Sequence, residues 1–414
     1  MSKLQPVRGT HDILPQQHRR HRLVGETAFE IAARYGYQEI STPMFEMTEV
    51  FARTLGETSD VVSKEMYTFE DRSGDSITLR PEYTAGVARA FISGGLVREL
   101  PLKVFCRGPM FRYERPQKGR QRQFHQIDVE ILGVADPLAD IEVIAIGAHI
   151  LDALGVSDKV ELQINTLGDT ESRDAYRAKL VEYLNQFRDR LSEDSLERLQ
   201  RNPLRILDSK DEGDRAIVAD APLFADSLNS QSKEFYGAVK NGLDAIGIKY
   251  QCNSRLVRGL DYYCHTAFEF VTETLGSQGA VIAGGRYDGL IETMGGPATP
   301  GIGWAGGIER LAMMLDEDPP AQRPITVIPV GEEAATEALC VTERLRRDGF
   351  TVELGYSGNM KKRLNRANKA NASAAVIIGE DELAKGVATI RDMESGEQTE
   401  APLDDLGEHL VRYR

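Results

Sequence analysis

The chain has 414 residues, 41% of them hydrophobic, and a formal net charge of −14. That length predicts two or three domains around a sizeable core, and the acidic balance excludes a general nucleic-acid binder, so any RNA contact must use local basic patches. Cys106, Cys252, Cys264 and Cys340 form no C-x-x-C pair and no other metal-ligand spacing stands out, no apolar run is long enough for a bilayer, and no signal peptide is legible; a cytoplasmic protein with neither a bound metal nor a membrane partner is expected.

Val24, Ala28, Ile31 and Tyr35 recur at helical spacing and predict a helix over residues 18–35, ended by Gly36. Residues 37–45 read as a strand interrupted by Pro43, whose missing amide suits an edge or a bulge. Residues 64–79 read as a hairpin with its turn at 71–75. The hairpin delivers Arg80-Pro81-Glu82-Tyr83-Thr84 at a strand end, where Thr84 opens a small-residue helix. A carboxylate at that place either takes a substrate ammonium or caps the helix.

Residues 107–133 predict a second hairpin. In its second arm Ile127, Val129 and Ile131 alternate with Gln126, Asp128 and Glu130; in its first, Phe111 and Tyr113 alternate with Arg112 and Glu114. The turn between them, 115–121, carries Arg115, Lys118 and Arg120. One polar face is common in antiparallel sheets, where it is solvated. Cations beside an acceptor-rich face also suit a ligand that is both anionic and cationic, such as an amino acid joined to a phosphate ester. We favour that reading, because polar groups on an apolar sheet are costly unless something binds them.

Residues 139–154 form an apolar-rich helix and 160–165 a strand, after which 168–246 become helical and charge-dense, with a break at Arg201-Asn202-Pro203. The chain then returns to chemistry. Arg258-Gly259-Leu260-Asp261-Tyr262-Tyr263 places a cation and two phenols at the start of a strand, and phenols can hydrogen-bond an imidazole without adding charge. In Ala283-Gly284-Gly285-Arg286-Tyr287-Asp288-Gly289-Leu290, paired glycines let the backbone approach a flat ligand. A glycine-rich lead-in at 301–307 precedes a helix that buries Ile308, Leu311, Ala312 and Leu315, leaving Arg310 off the apolar stripe. Residues 316–324 are a linker by composition, and 325–414 alternate strand and helix as a compact α/β unit. Its basic helix at 360–370 carries Lys361, Lys362 and Arg363; most such charge runs are solvated faces.

Phe111-Arg112-Tyr113-Glu114-Arg115-Pro116, followed by Arg122-Gln123-Phe124-His125-Gln126, resembles motif 2 of the class II aminoacyl-tRNA synthetases. Residues 301–311 resemble motif 3, and the first helix with the Pro43 strand resembles motif 1. The Arg258–Tyr263 and Ala283–Leu290 stretches resemble the signatures of the bacterial histidyl-tRNA synthetase family, and the resemblance covers almost the whole chain. It implies an α/β fold with an α+β catalytic core. An antiparallel-sheet class II catalytic domain would span 1–323, with a helical insertion at about 168–250 folding over the tRNA acceptor stem. A mixed-sheet anticodon-binding domain would span 324–414.

The resemblance implies a histidine–tRNA ligase acting on L-histidine, ATP with Mg²⁺, and tRNA(His), as a homodimer. Arg112 and Arg258 would be the catalytic cations at the α-phosphate, and Arg310 would bind the γ-phosphate. Glu82, Tyr83 and Thr84 would lie at the substrate amino group, Gln126 and Glu130 in the amino-acid pocket, and Tyr262 and Tyr263 around the imidazole. Arg115, Gln117, Lys118 and Arg120 would reach the acceptor end of the tRNA, and Lys361 and Lys362 the anticodon region. Tyr83 and Asp128 stand where small residues are expected; Asp128 either adds negative charge under the pocket or faces away. The alternative is a non-catalytic, synthetase-like regulatory subunit of histidine biosynthesis, which is expected to lack both the Arg258–Tyr263 stretch and the C-terminal domain.

Overall fold

Pro15 opens the first helix, α1 (Pro15–Arg34), in the first turn, where its missing amide costs nothing. The helix therefore starts before the apolar spacing that revealed it. Val24, Ala28 and Ile31 are buried, Tyr35 is the C-cap, and Gly36 turns the chain at φ +83°. The strand expected over 37–45 is two short pieces, β1 (Gln38–Glu39) and β2 (Phe45–Met47), with Pro43 between them. The computed structural model describes residues 3–55, 61–209, 211–257, 262–276 and 279–414.

After α2 (Thr48–Leu55), β3 (Tyr67–Glu70) and β4 (Ser76–Leu79) make the expected first hairpin. Its turn is fixed by the Asp71 carboxylate, which accepts from the Ser73 and Asp75 amides at 2.7 and 3.0 Å. Thr84 opens α3 (Thr84–Ser93), as its position suggested. β5 (Leu102–Phe111) and β6 (Gln123–Leu132) then pair antiparallel along their whole length. β5 stops at Phe111, so Arg112 and Glu114 are not strand residues as expected. Instead the Arg112 amide donates to Arg122 O and the Tyr113 amide to Glu65 O.

The catalytic-type unit continues with α4 (Pro137–Ala153) and β7 (Glu161–Thr166). The charge-dense insertion follows as α5 (Thr170–Asn185), α6 (Glu193–Arg201), α7 (Glu212–Val218) and α8 (Ser230–Ala245). The break expected at 201–203 is the end of α6 at Arg201 and the start of a 3₁₀ segment at Pro203. This layer has a core of its own, in which Tyr176, Leu180, Leu184, Leu199 and Ile206 pack together. Then come β8 (Gln251–Cys252), β9 (Cys264–Val271), β10 (Ala280–Arg286), α9 (Leu290–Thr293), β11 (Gly301–Gly307) and α10 (Ile308–Met314).

One eight-stranded sheet results, in the order β1-β5-β6-β11-β10-β9-β7-β8. Only its edge pairs, β1–β5 and β7–β8, are parallel. Val24, Ala28 and Ile31 of α1 and Ile144 of α4 cover one face, packing with Ile127, Val129 and Ile131. The indole of Trp304 ties β11 to α4 by donating to Val143 O at 2.9 Å. On the other face Tyr83, Phe91 of α3, Met110 and Tyr287 form a second apolar cluster. The alternation along β6 is present, but both of its faces are covered. Asp128 and Glu130 are each 1% exposed, which rules out a solvated face.

Internal contacts divide the chain into units 1–319 and 320–414. The second contains β12 (Ile325–Pro329), α11 (Ala334–Arg347), β13 (Val352–Leu354), α12 (Met360–Lys369), β14 (Ala374–Ile378), α13 (Glu380–Lys385), β15 (Val387–Asp392), β16 (Gln398–Pro402) and α14 (Leu406–Leu410). Its sheet order is β13-β12-β14-β15-β16, parallel among the first three strands and antiparallel among the last three, a mixed sheet as expected. Among the described residues no helix is long and apolar enough to cross a membrane.

Candidate active site

A cavity of about 200 Å³ opens between α3, the β5–β6 hairpin and the β10–β11 strands. Glu82, Thr84, Arg112, Gln126, Tyr262, Tyr263 and Arg310 all line it, although the sequence scatters them over more than two hundred positions. The sheet order explains this: β6 and β11 are neighbours, and α3 lies on their open face. Arg258 lies outside the described residues, together with Gly259, Leu260 and Asp261.

Glu82 combines both readings given to it. Its Oε1 accepts from the Ala85 amide at 2.9 Å, so it caps α3, and it also faces the cavity. Burial pushes its carboxyl above the usual range, against the pull of that amide. Thr84 donates to Glu130 Oε1 at 2.6 Å, and the Tyr287 hydroxyl donates to the other oxygen of Glu130. Burial lifts the Glu130 carboxyl to about 8, and those two donors hold it from going higher. Gln126 lines the cavity as expected, but Glu130, expected beside it, stands behind Thr84 and is not part of the wall, because the Thr84 hydroxyl lies between it and the open space. Tyr262 stacks obliquely on Tyr263 with ring centroids 4.5 Å apart and meets Tyr287 edge-on at 5.8 Å.

The cations are anchored through carbonyls. Arg112 Nε donates to Pro81 O at 2.9 Å; Arg310 donates to Ala280 O at 2.5 Å and to Gly119 O at 3.2 Å. Burial, and then the nearby Arg120, make the charge on Arg310 harder to hold. A half-buried cation beside two more cations is a receptor for polyanions. Next to it, Glu309 accepts from the His125 amide and from His125 Nδ1 at 2.8 Å, clamping α10 to β6. Burial opposes the charge on Glu309, but the bonds from His125 prevail and keep its carboxyl low. His21 brings a third donor atom within 4.8 Å of this pair, making a group of metal-ligand type whose hydrogen bonds already account for Glu309.

Three expectations need correction. Tyr83 does not line the cavity: it is 1% exposed, lies under Arg80 with 4.2 Å from guanidinium to ring centre, and donates to Arg107 O at 2.7 Å. Arg120 is no free loop cation, because it pairs with the buried Glu114 at 2.5 Å; Arg115, Gln117 and Lys118 are exposed. The paired glycines approach protein rather than a ligand: a Cβ on Gly285 would meet Thr266 O at 2.6 Å and the Tyr263 ring at 2.9 Å. Tyr287 and Glu114 are site residues that the sequence reading did not assign. Each lay inside a quoted motif: Glu114 between the assigned Arg112 and Arg115, and Tyr287 in the Ala283–Leu290 stretch, none of whose residues was given a role.

A family model described as histidyl-tRNA synthetase matches residues 9–311. The chain belongs to the histidyl-tRNA synthetase family. An anticodon binding domain model matches residues 325–413. The chain is 61% identical to a Rhodospirillum rubrum protein named histidine–tRNA ligase, over the full length of both. It is 58% identical to one of the same name from Gluconacetobacter diazotrophicus, over 99% of both chains. The crystal structure of apo histidyl-tRNA synthetase from S. aureus superimposes with a TM-score of 0.83 at 35% identity, covering 99% of each chain. The class II architecture expected from motifs 2 and 3 is therefore the fold of this family, with its mixed-sheet C-terminal domain.

Proposed function

We propose that the chain joins L-histidine to tRNA(His) in two steps: ATP and histidine give histidyl-adenylate and pyrophosphate, and the terminal adenosine of the tRNA then takes the histidyl group. The observation that carries this is a single cavity in which Arg112 and Arg310 meet Glu82, Gln126 and two tyrosines. It matches a substrate pair that is polyanionic at one part and an amino acid at the other.

In the first step the histidine carboxylate attacks the α-phosphorus in line, and the bond to the β-phosphate oxygen breaks. No side chain forms a covalent bond. Arg112 and Arg258 neutralise charge that builds on the α-phosphate, and Arg310 holds the γ-phosphate. Glu82, Thr84 and Gln126 orient the ammonium, Glu130 acts on the pocket through Thr84, and Tyr262 and Tyr263 frame the ring. Mg²⁺ would arrive with ATP and share its phosphate charge; Glu114, buried between Arg112 and Arg120, is the carboxylate that would hold it. A pocket of fixed polar groups can reject an ill-fitting amino acid by roughly 10⁴, with no separate editing site.

For RNA, the exposed Arg115, Gln117 and Lys118 are assigned to the acceptor end, with Arg120 as their support through Glu114. The exposed Lys361 and Lys362 on α12 are assigned to the anticodon region. The exposed Met44, Phe45, Met47 and Phe69 support a homodimer formed through the motif 1 region. A cytoplasmic site of action fits this substrate set. The regulatory-subunit alternative is not favoured, since the chain carries the Arg258–Tyr263 stretch and the C-terminal domain that such a subunit is expected to lack.

The deciding experiment is ATP–pyrophosphate exchange with each of the twenty amino acids. Exchange with histidine alone is expected; exchange with another amino acid, or with none, would overturn the assignment. In the same assay Arg258→Ala should lose exchange while keeping its thermal unfolding profile, and normal exchange would remove Arg258 from the reaction.

A further inference from the structure

β6 carries three polar side chains on the face turned toward the cavity. Gln126 lines it, Glu130 is bonded to Thr84 and Tyr287, and Asp128 lies between them. Asp128 is 1% exposed, and neither of its carboxyl oxygens has a hydrogen-bond partner among the described residues. The buried Oε1 of Gln126 also has none. Two neighbouring positions thus present unused acceptors, in an interior where such groups are normally paired.

The surrounding groups do not answer them. On its own strand Asp128 faces Glu130, and from the β4–α3 segment Arg80, Glu82 and Tyr83; Cys106 stands opposite on β5, Arg112 beyond the end of β5, and the uncharged Ala305 opposite on β11. Arg80 donates to Pro109 O and Thr42 O, Tyr83 to Arg107 O, and Arg112 to Pro81 O. In each of these bonds the donor is turned to a backbone carbonyl, and among the described residues none reaches Asp128. The group that would complete the set is a compact cation with several N–H donors, and an amino acid's α-ammonium is one.

We propose that Asp128 is a positioning residue for the substrate: from behind the cavity wall it supplies the negative charge that holds the histidine α-ammonium against Gln126. This rests on the assignment of the cavity to the amino acid. In the empty protein, burial and the adjacent Glu130 and Glu82 keep the Asp128 carboxyl well above its usual range. An arriving ammonium reverses that balance, so the carboxyl gives up its proton to solvent as histidine binds.

The test is calorimetric titration of the full chain near neutral pH, in two buffers of different ionisation enthalpy, which counts the protons released. The ligands are L-histidine and imidazolepropionate, which lacks the amino group. The variants are Asp128→Asn, nearly isosteric with the neutral acid, and Asp128→Gly as a second in case the first folds poorly. Wild-type protein should release a proton with histidine and not with imidazolepropionate. Asp128→Asn should bind histidine about tenfold more weakly, as expected when a nearby negative charge is taken from the ammonium's surroundings. It should also lose the proton release and bind imidazolepropionate unchanged. Unchanged histidine affinity, proton release that survives in the variant, or equal weakening of both ligands would each overturn the proposal. Absence of proton release in the wild-type protein would do so without any variant. Gln126→Ala separates the two levels: if it leaves histidine binding intact, the cavity assignment fails and not only the role of Asp128.

Discussion

Glu130 couples the site to pH through its own stability. The fold favours its neutral form, lifting the carboxyl from an ordinary 4.5 to about 8. The stabilisation is therefore complete below about 4.5, where the unfolded chain is also protonated, and declines as pH rises until the folded carboxyl ionises near 8. Glu130→Gln removes that decline. Its melting temperature relative to the parent should rise between about pH 5 and pH 8. Two melting curves that track each other across this window would show that Glu130 is ionised throughout. At this scale the sequence was informative about which residues share a face and silent about what covers the face. The alternation along β6 picked out Gln126, Asp128 and Glu130 together. Their burial depends on α3 and Tyr287, which sit in other parts of the chain and enter no local period.

Between elements, the glycines of the two late motifs are spacers for side chains. A Cβ on Gly303 would occupy the place of the Glu130 carboxylate, and one on Gly301 would enter the ring of Tyr287. Gly303→Ala should therefore displace Glu130 and cost about 1–3 kcal/mol of stability, as overpacking does. It should also raise the KM for histidine more than the KM for ATP, because Glu130 holds Thr84 at the pocket; a variant with wild-type kinetics would show that this support does not matter to the substrate. The motif spelling pointed to close approach but named the wrong partner, because spacing cannot distinguish a ligand from Thr266 O or Tyr263. Pro43 and the end of β5 were similar cases. Propensity located the strands, and hydrogen bonds to distant residues such as Glu65, whose carbonyl accepts from the Tyr113 amide, set where they stop. On α12, the exposed Lys361 and Lys362 invite a direct comparison with the site. Replacing both by Ala should raise the KM for tRNA several-fold, since each removes one phosphate-type contact, and leave pyrophosphate exchange unaltered. A change in exchange instead would point to a fold defect.

For the whole molecule, the two units carry separate cores: one around Ile127, Ile144 and Phe268, the other around Val327, Val341 and Val376. A chain cut after Pro319 should keep histidine-dependent exchange and lose most charging of tRNA. Charging at the parental rate would mean that residues 320–414 do not read the RNA. This division was legible as a composition change near the Asp316–Pro324 stretch, as was the α/β alternation after it. The insertion was legible as charge-dense helix, but its separate core around Tyr176 and Leu180 was not, since single helices show which face is apolar and not which neighbour receives it.

β6 lies between β5 and β11, and every residue from Gln126 to Leu132 is buried. Its amides are therefore bonded on both sides and sealed above and below. In deuterated water they should be the last in the chain to exchange, and only when the entire first unit opens. A ligand that grips this strand reports directly on global unfolding: histidine and ATP should slow deuterium uptake at 126–132 by the same factor by which they protect the protein against heat or denaturant.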